Sequence, residues 1–138
     1  MKWLVIATLV LLAGCSASSS EERSTEAWSQ VPQNEAIRFG GTEPFWGGEV
    51  TGTRLTYTTP DNPDGTVITV ARFAGNSGAS FSGELDGKSF DLMITQGSCS
   101  DGMSDRTYPL NATLKLGGEV LSGCAHSDSL PFEGPEMP

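Results

Sequence analysis

The residues predict an all-β fold, a small antiparallel meander closing into a barrel of about eight strands, with a disordered N-terminal tether ahead of it. Apolar and polar side chains alternate with period two between Glu35 and Ala125, as strands with one buried face require. Gly (17) and Pro (8) are frequent among the 138 residues, so turns are plentiful and long helices have no room. Thr51-Gly52-Thr53, Asp86-Gly87 and Gly117-Gly118 each separate two β-type runs at hairpin spacing, where positive φ is tolerated. Sequential hairpins make a meander, and a meander removes its exposed edges most simply by curling on itself.

From the amino terminus, Met1-Lys2 precedes an apolar run from Trp3 to Leu12. That run is about ten residues, half of the ~20 needed to span a bilayer as a helix, so it reads as an export signal. Leu12-Ala13-Gly14-Cys15 resembles the bacterial lipobox. The resemblance implies removal of residues 1–14 as a lipoprotein signal peptide and lipidation of Cys15, with palmitate-type acyl chains anchoring the protein in a membrane. Ser16, where retained inner-membrane lipoproteins typically carry Asp, favours the outer membrane facing the periplasm. Residues 15–34 are expected to be the lipidated cysteine and a flexible tether, because Trp28 and Val31 are the only large apolar groups between Cys15 and Asn34. Trp28 is expected to be solvated or loosely packed.

The barrel domain is expected over 35–126. Its strands are placed at Ala36–Gly40, Phe45–Thr51, Arg54–Thr58, Val67–Phe73, Ala79–Leu85, Lys88–Thr95, Tyr108–Leu116 and Glu119–Cys124. Across the Asp86-Gly87 turn, Phe81, Leu85, Phe90 and Leu92 can share one core face. Thr59 to Gly65 holds Pro60 and Pro63 and reads as a loop, since proline lacks the donor that a central strand needs. Residues 127–138 read as a disordered tail. A small barrel can be filled by side chains or can hold one small ligand.

With Cys15 assigned to lipid, Cys99 and Cys124 remain as an even pair in an exported protein and are expected to form a disulfide. The only histidine, His126, is expected in the solvated tail, so no Ser-His-Asp set and no zinc site assembles. The loop from Cys99 to Tyr108 is the densest polar cluster, with Asp101 and Asp105 four apart and Arg106 adjacent. Its spacing does not match a calcium loop. Turn capping by the Asp and Ser side chains, with Arg106 paired to a carboxylate, is the expected arrangement. In Gly40-Gly41-Thr42-Glu43-Pro44-Phe45-Trp46-Gly47-Gly48 a carboxylate and two large aromatics lie between glycine pairs. Pro44 favours an extended Glu43 at the start of a strand. Trp46 is either an interface anchor or the plug of a small barrel. Asn111-Ala112-Thr113 matches the glycosylation sequon by chance, inside a strand. No cofactor or metal is implied.

Gly41-Thr42-Glu43-Pro44-Phe45-Trp46, together with Cys99-Ser100-Asp101-Gly102-Met103-Ser104-Asp105-Arg106-Thr107-Tyr108-Pro109 and Gly123-Cys124-Ala125, carries a family resemblance. The chain resembles an uncharacterised family of bacterial envelope lipoproteins and predicted membrane-associated proteins, over Ile37 to Ala125. The resemblance implies a place beside other small envelope β-domains, including lysozyme-inhibitor lipoproteins. The Ser-Gly-x-x-Tyr loop of those inhibitors is not reproduced, since Ser122-Gly123 runs into Cys124-Ala125-His126.

The net charge of −9, with 8 Lys+Arg against 17 Asp+Glu, has the wrong sign for a nucleic-acid partner. The expected function is therefore that of a lipid-anchored, non-enzymatic binding module at the bacterial cell envelope. Its candidate binding residues are Glu43, Phe45, Trp46, Asp101, Asp105, Arg106 and Tyr108. Two rival functions are inhibition of a basic cell-wall hydrolase, which the negative charge would steer toward the protein, and carriage of a small ligand inside the barrel.

Overall fold

The computed structural model describes residues 27–136. The signal peptide over 1–14, the lipidation site Cys15 and most of the expected tether lie outside the described residues. The described chain is all β. Its strands are β1 (Ile37–Thr42), β2 (Phe45–Thr51), β3 (Arg54–Thr59), β4 (Asn62–Thr69), β5 (Ala71–Ala74), β6 (Gly78–Leu85), β7 (Lys88–Cys99), β8 (Tyr108–Leu116) and β9 (Glu119–Ser127). They form one antiparallel sheet of nine strands in the order β4-β3-β2-β1-β9-β8-β7-β6-β5, nearly closed into a barrel. The hairpins at Gly52, Asp86-Gly87 and Gly117-Gly118 are all present, and Asp86 takes positive φ (51°) beside Gly87 (78°).

The first and last strands meet in antiparallel register, Ile37 opposite Ser127 and Gly40 opposite Cys124. At the other side, the run expected as a single strand over Val67–Phe73 is divided. β4 pairs with β3 and β5 pairs with β6. The break falls at Val70, whose side chain is buried and whose N–H donates to the Thr53 carbonyl at 2.8 Å. One bent segment thus serves two neighbours in turn, which lets a twisted sheet come almost full circle. Gly83 permits the approach, because a Cβ there would lie 2.7 Å from the Thr69 carbonyl oxygen.

The loop expected between Thr59 and Gly65 contracts to a turn at Pro60-Asp61, and Pro63 lies within β4. β4 is an outermost strand of the sheet order, where a missing N–H breaks no ladder bond. β7 and β9 run past the expected Thr95 and Cys124, to Cys99 and Ser127. β7 does so with a register shift between Gln96 and Cys99.

Inward positions are filled. Phe81, Phe90, Leu92, Ile94, Leu110, Leu114, Leu55 and Val50 are each at most 1% exposed. Leu85 joins Phe81, Phe90 and Leu92 in this core, as the Asp86-Gly87 hairpin requires, and Tyr57 meets Phe90 edge-on at 5.6 Å.

Two terminal expectations are corrected. Trp28 and Val31 are not part of a solvated tether: both are buried, at 5% and 1% exposure, in the same core cluster. The Trp28 backbone N–H donates to the Gly75 carbonyl at 2.7 Å, and the Arg72 guanidinium donates to the Val31 carbonyl at 3.0 Å. Apolar area withdrawn from water, with these bonds, offsets the entropy of ordering the segment. Residues 127–136 are likewise not a free tail. Leu130 packs on the core, Thr107 and Glu133 exchange backbone hydrogen bonds of 2.9 and 2.8 Å, and the Ser129 hydroxyl donates to the Glu35 carboxylate.

Trp28→Ala should therefore cost about 3–5 kcal/mol, the usual range for a buried Trp. Urea unfolding checks this; a loss within ~0.5 kcal/mol, typical of a surface position, would return Trp28 to a solvated tether.

Candidate functional site

β9 alternates so that Ala125 and Ser127 point into the barrel and Cys124 and His126 point out. Ala125 faces Phe39 and Leu110 across the two ladders, all three buried. Cys124 is bonded to Cys99 as expected, with Cα atoms 5.6 Å apart. Residues 100–107, between β7 and β8, are thereby tied to the outer face of the barrel at the β1–β9 seam. The seam is close: a Cβ on Gly123 would sit 2.1 Å from the Gly40 carbonyl oxygen, so only glycine fits at that position.

Asp101 organises the loop. Its carboxylate accepts from the Met103 N–H (2.9 Å), the Ser104 N–H (2.8 Å) and the Ser104 hydroxyl (2.7 Å). Those bonds, led by the ones from Ser104, hold its pKa below the ordinary carboxylate value. The capping role expected of this loop is present. Its backbone carbonyl in turn accepts from the Thr42 hydroxyl at 3.1 Å, across 59 residues of sequence. That bond joins the two sequence motifs on one surface.

Beside it lies a groove of about 200 Å³, lined by Arg38, Gly40, Thr42, Asp101, Tyr108 and His126. On the far side of the loop, Glu43 at the β1–β2 turn faces Met103 and Val120 across a wider depression. Met103 and Val120 are 69% and 61% exposed.

Other candidate residues sit differently from their expected places. Glu43 and Pro44 form the β1–β2 turn, because the register pairs Thr42 with Phe45 and leaves two residues for the reversal; Glu43 is therefore at a hairpin tip, not at the start of a strand. Trp46 is buried against Phe39, ring centres 5.9 Å apart, and acts as part of the plug; the exposed aromatic of the motif is Phe45. Asp105 is exposed and does not line the groove beside Arg38 and His126. Among the described residues, Arg106 pairs with no carboxylate. Its guanidinium lies 4.1 Å from the Phe132 ring centre, and Nε donates to the Pro135 carbonyl at 2.6 Å. The Thr107–Glu133 bridge carries Phe132 and Pro135 to that position, which outweighs a solvated ion pair.

Four groups escaped the sequence reading: Arg38, Thr42, His126 and Phe132. His126 is in β9, not in a tail, with its ring 5.6 Å from Tyr108 and 5.1 Å from Phe132. Burial lowers its pKa, then the charges of Arg38 and Arg106; Asp128 opposes them. The alternation of β9 does continue past Cys124, but its inward residues there are Ala125 and Ser127, too small and polar to mark a strand. Among the described residues, no group of three or more His, Cys, Asp or Glu could hold a metal ion.

No protein-family model, curated protein or solved structure matches the chain.

Replacing both Cys99 and Cys124 by Ala should cost about 3.5 kcal/mol by the chain-entropy relation for a sequence separation of 25. Equilibrium urea unfolding measures it, and a change under ~1 kcal/mol would mean that the bridge does not restrain the unfolded chain. For His126 the unfolded state binds the proton more readily, so its neutral form stabilises the fold above the ordinary histidine value of 6.5, and that contribution disappears as pH falls through the lower folded pKa. The wild type should lose more stability than His126→Gln between pH ~7 and ~5; parallel losses would contradict this.

Proposed function

We propose that this chain is a lipid-anchored protein of the bacterial envelope, most simply on the periplasmic face of the outer membrane, and that its barrel is a non-enzymatic binding module. The recognition surface is the outer face at the β1–β9 seam, under the loop tied down by Cys99 and Cys124. The observation that carries this reading is the Thr42–Asp101 hydrogen bond of 3.1 Å: it joins two motifs that barrel closure alone has no need to unite. Filled inward positions favour a ligand outside the barrel over one carried within it.

The lipobox-like Leu12-Ala13-Gly14-Cys15 supports the anchor. Trp28 is already packed, so the chain between it and Cys15 reaches no further than about 45 Å, at roughly 3.5 Å per residue. The binding face would therefore work close to the membrane. A second reading, inhibition of a basic cell-wall hydrolase, is favoured by the net charge of −9, which attracts a cationic partner over a distance.

Photo-crosslinking in cells tests the first reading. A crosslinker at exposed Met103 should trap a discrete envelope partner, while one at exposed Val67, on β4, should not. Equal trapping at both sites, or none at either, would defeat it. Cys15→Ser should abolish palmitate incorporation and release the protein from membranes. The second reading predicts that purified protein slows lysozyme; full activity at ~10 μM protein, well above the Kd of a specific complex, ends it.

A further inference from the structure

The groove beside the disulfide-anchored loop brings a half-exposed guanidinium and the chain's sole imidazole together. Arg38 reaches it from β1, the Thr42 hydroxyl from the end of β1, Tyr108 from β8 and His126 from β9. The Arg38 guanidinium is only loosely held: Nε lies 3.3 Å from Glu49 and Nη1 lies 3.5 Å from Asp128, both longer than a good charge-assisted bond. Its side chain is 48% exposed, so these pairs contribute little and can be rearranged. Neither ring nitrogen of His126 bonds to another described residue, and the ring is propped upright by Tyr108 and Phe132.

Three carboxylates, Glu49, Asp101 and Asp128, stand near these groups. Both carboxylate oxygens of Asp101 are taken up by the Met103 and Ser104 donors of its own loop. The Asp128 side chain is 84% exposed and therefore strongly screened. At the imidazole, Arg38 and Arg106 together outweigh Asp128. The imidazole thus has two guanidinium groups and an aromatic wall beside it, on a protein of net charge −9. Its volume of about 200 Å³ corresponds to some six or seven waters at ~30 Å³ each, the size of a small organic acid or the end residue of a peptide.

We propose that this groove binds a carboxylate, borne by a small ligand or by a peptide chain end, with Arg38 as its cationic anchor and His126 as a second donor. A monoanion suits it better than a phosphate dianion, because Glu49 and Asp128 already face Arg38 and Asp101 lines the groove, and these carboxylates would repel the additional negative charge. The proposal rests on the reading of this face as a recognition surface and names what one part of it takes. Binding favours the imidazolium, so by linkage affinity rises as pH falls through the His126 pKa. The charged and titratable groups around the ring and its groove are Arg38, Asp101, Arg106, Tyr108 and Asp128.

His126 is the sole histidine, so its imidazole NMR signals report on the groove without assignment ambiguity. The full-length chain in detergent micelles is titrated with N-acetylalanine, with N-acetylalaninamide, with inorganic phosphate and with sodium chloride at matched ionic strength. N-acetylalanine should move the signals saturably, raise the apparent pKa of His126 by about half a unit or more, and bind more tightly at pH 5.5 than at pH 7.5, by about twofold for a half-unit rise. Arg38→Gln, at an exposed position, should abolish these effects while leaving the circular dichroism spectrum unchanged; Arg54→Gln, outside the groove, should preserve them. The proposal is overturned if chloride or the neutral amide shifts the signals as far, if phosphate binds more tightly than the carboxylate, or if Arg38→Gln titrates like the wild type. Failure here with Met103 crosslinking intact removes the carboxylate site and leaves the recognition face standing. A carboxylate response without crosslinking does the reverse.

Discussion

Pairing of β1 with β9 is the constraint on which the rest of the structure depends. It joins the first strand of the domain to the last, Ile37 opposite Ser127 and Gly40 opposite Cys124. Without it, β1 to β4 and β5 to β9 would be two small sheets linked by one bent segment through Val70. The seam closes only because Gly123 has no side chain to strike the Gly40 carbonyl. Closure makes an enclosed core possible, and Phe90, Leu92, Ile94, Leu110 and Leu114 are fully buried as a result.

The candidate site lies on that same seam. Arg38 and Thr42 come from one end of the domain's sequence, Cys124 and His126 from the other, and the barrel's closure is what makes them neighbours. The disulfide adds the third component by holding the β7–β8 loop against the outer face. A rigid filled barrel with its polar chemistry outside is a good support for recognition, because the groups facing a ligand are already held and need little further ordering. Trp28 and Val31 pack in the same core, so the chain leading back toward Cys15 departs from an ordered base.

Local chemistry and long-range chemistry contributed differently. Asp101 caps its own loop through residues two and three positions away, and that role was legible from the Asp-Gly-Met-Ser spacing alone. Arg106 sits beside two carboxylates in sequence, Asp101 and Asp105, yet spends its guanidinium on Phe132 and Pro135. Those residues are remote along the chain, and only the Thr107–Glu133 bridge brings them there. Trp28 and His126 were misread for a related reason: each lies in a polar neighbourhood of the sequence, and each is ordered by a partner that the neighbourhood does not contain.

The sequence by itself determined the all-β class, most of the strands, the three glycine turns and the pairing of Cys99 with Cys124. These follow from period-two alternation, from local backbone sterics and from counting thiols, all of which act over a few residues or need no geometry. Only the tertiary structure decided that one segment would bend at Val70 to serve two edges, that both termini would pack on the barrel, and that Arg38, Thr42, Tyr108 and His126 would share a groove. Those outcomes depend on sheet twist and on which surfaces remain uncovered once the strands have paired, and such quantities exist only when the whole sheet does.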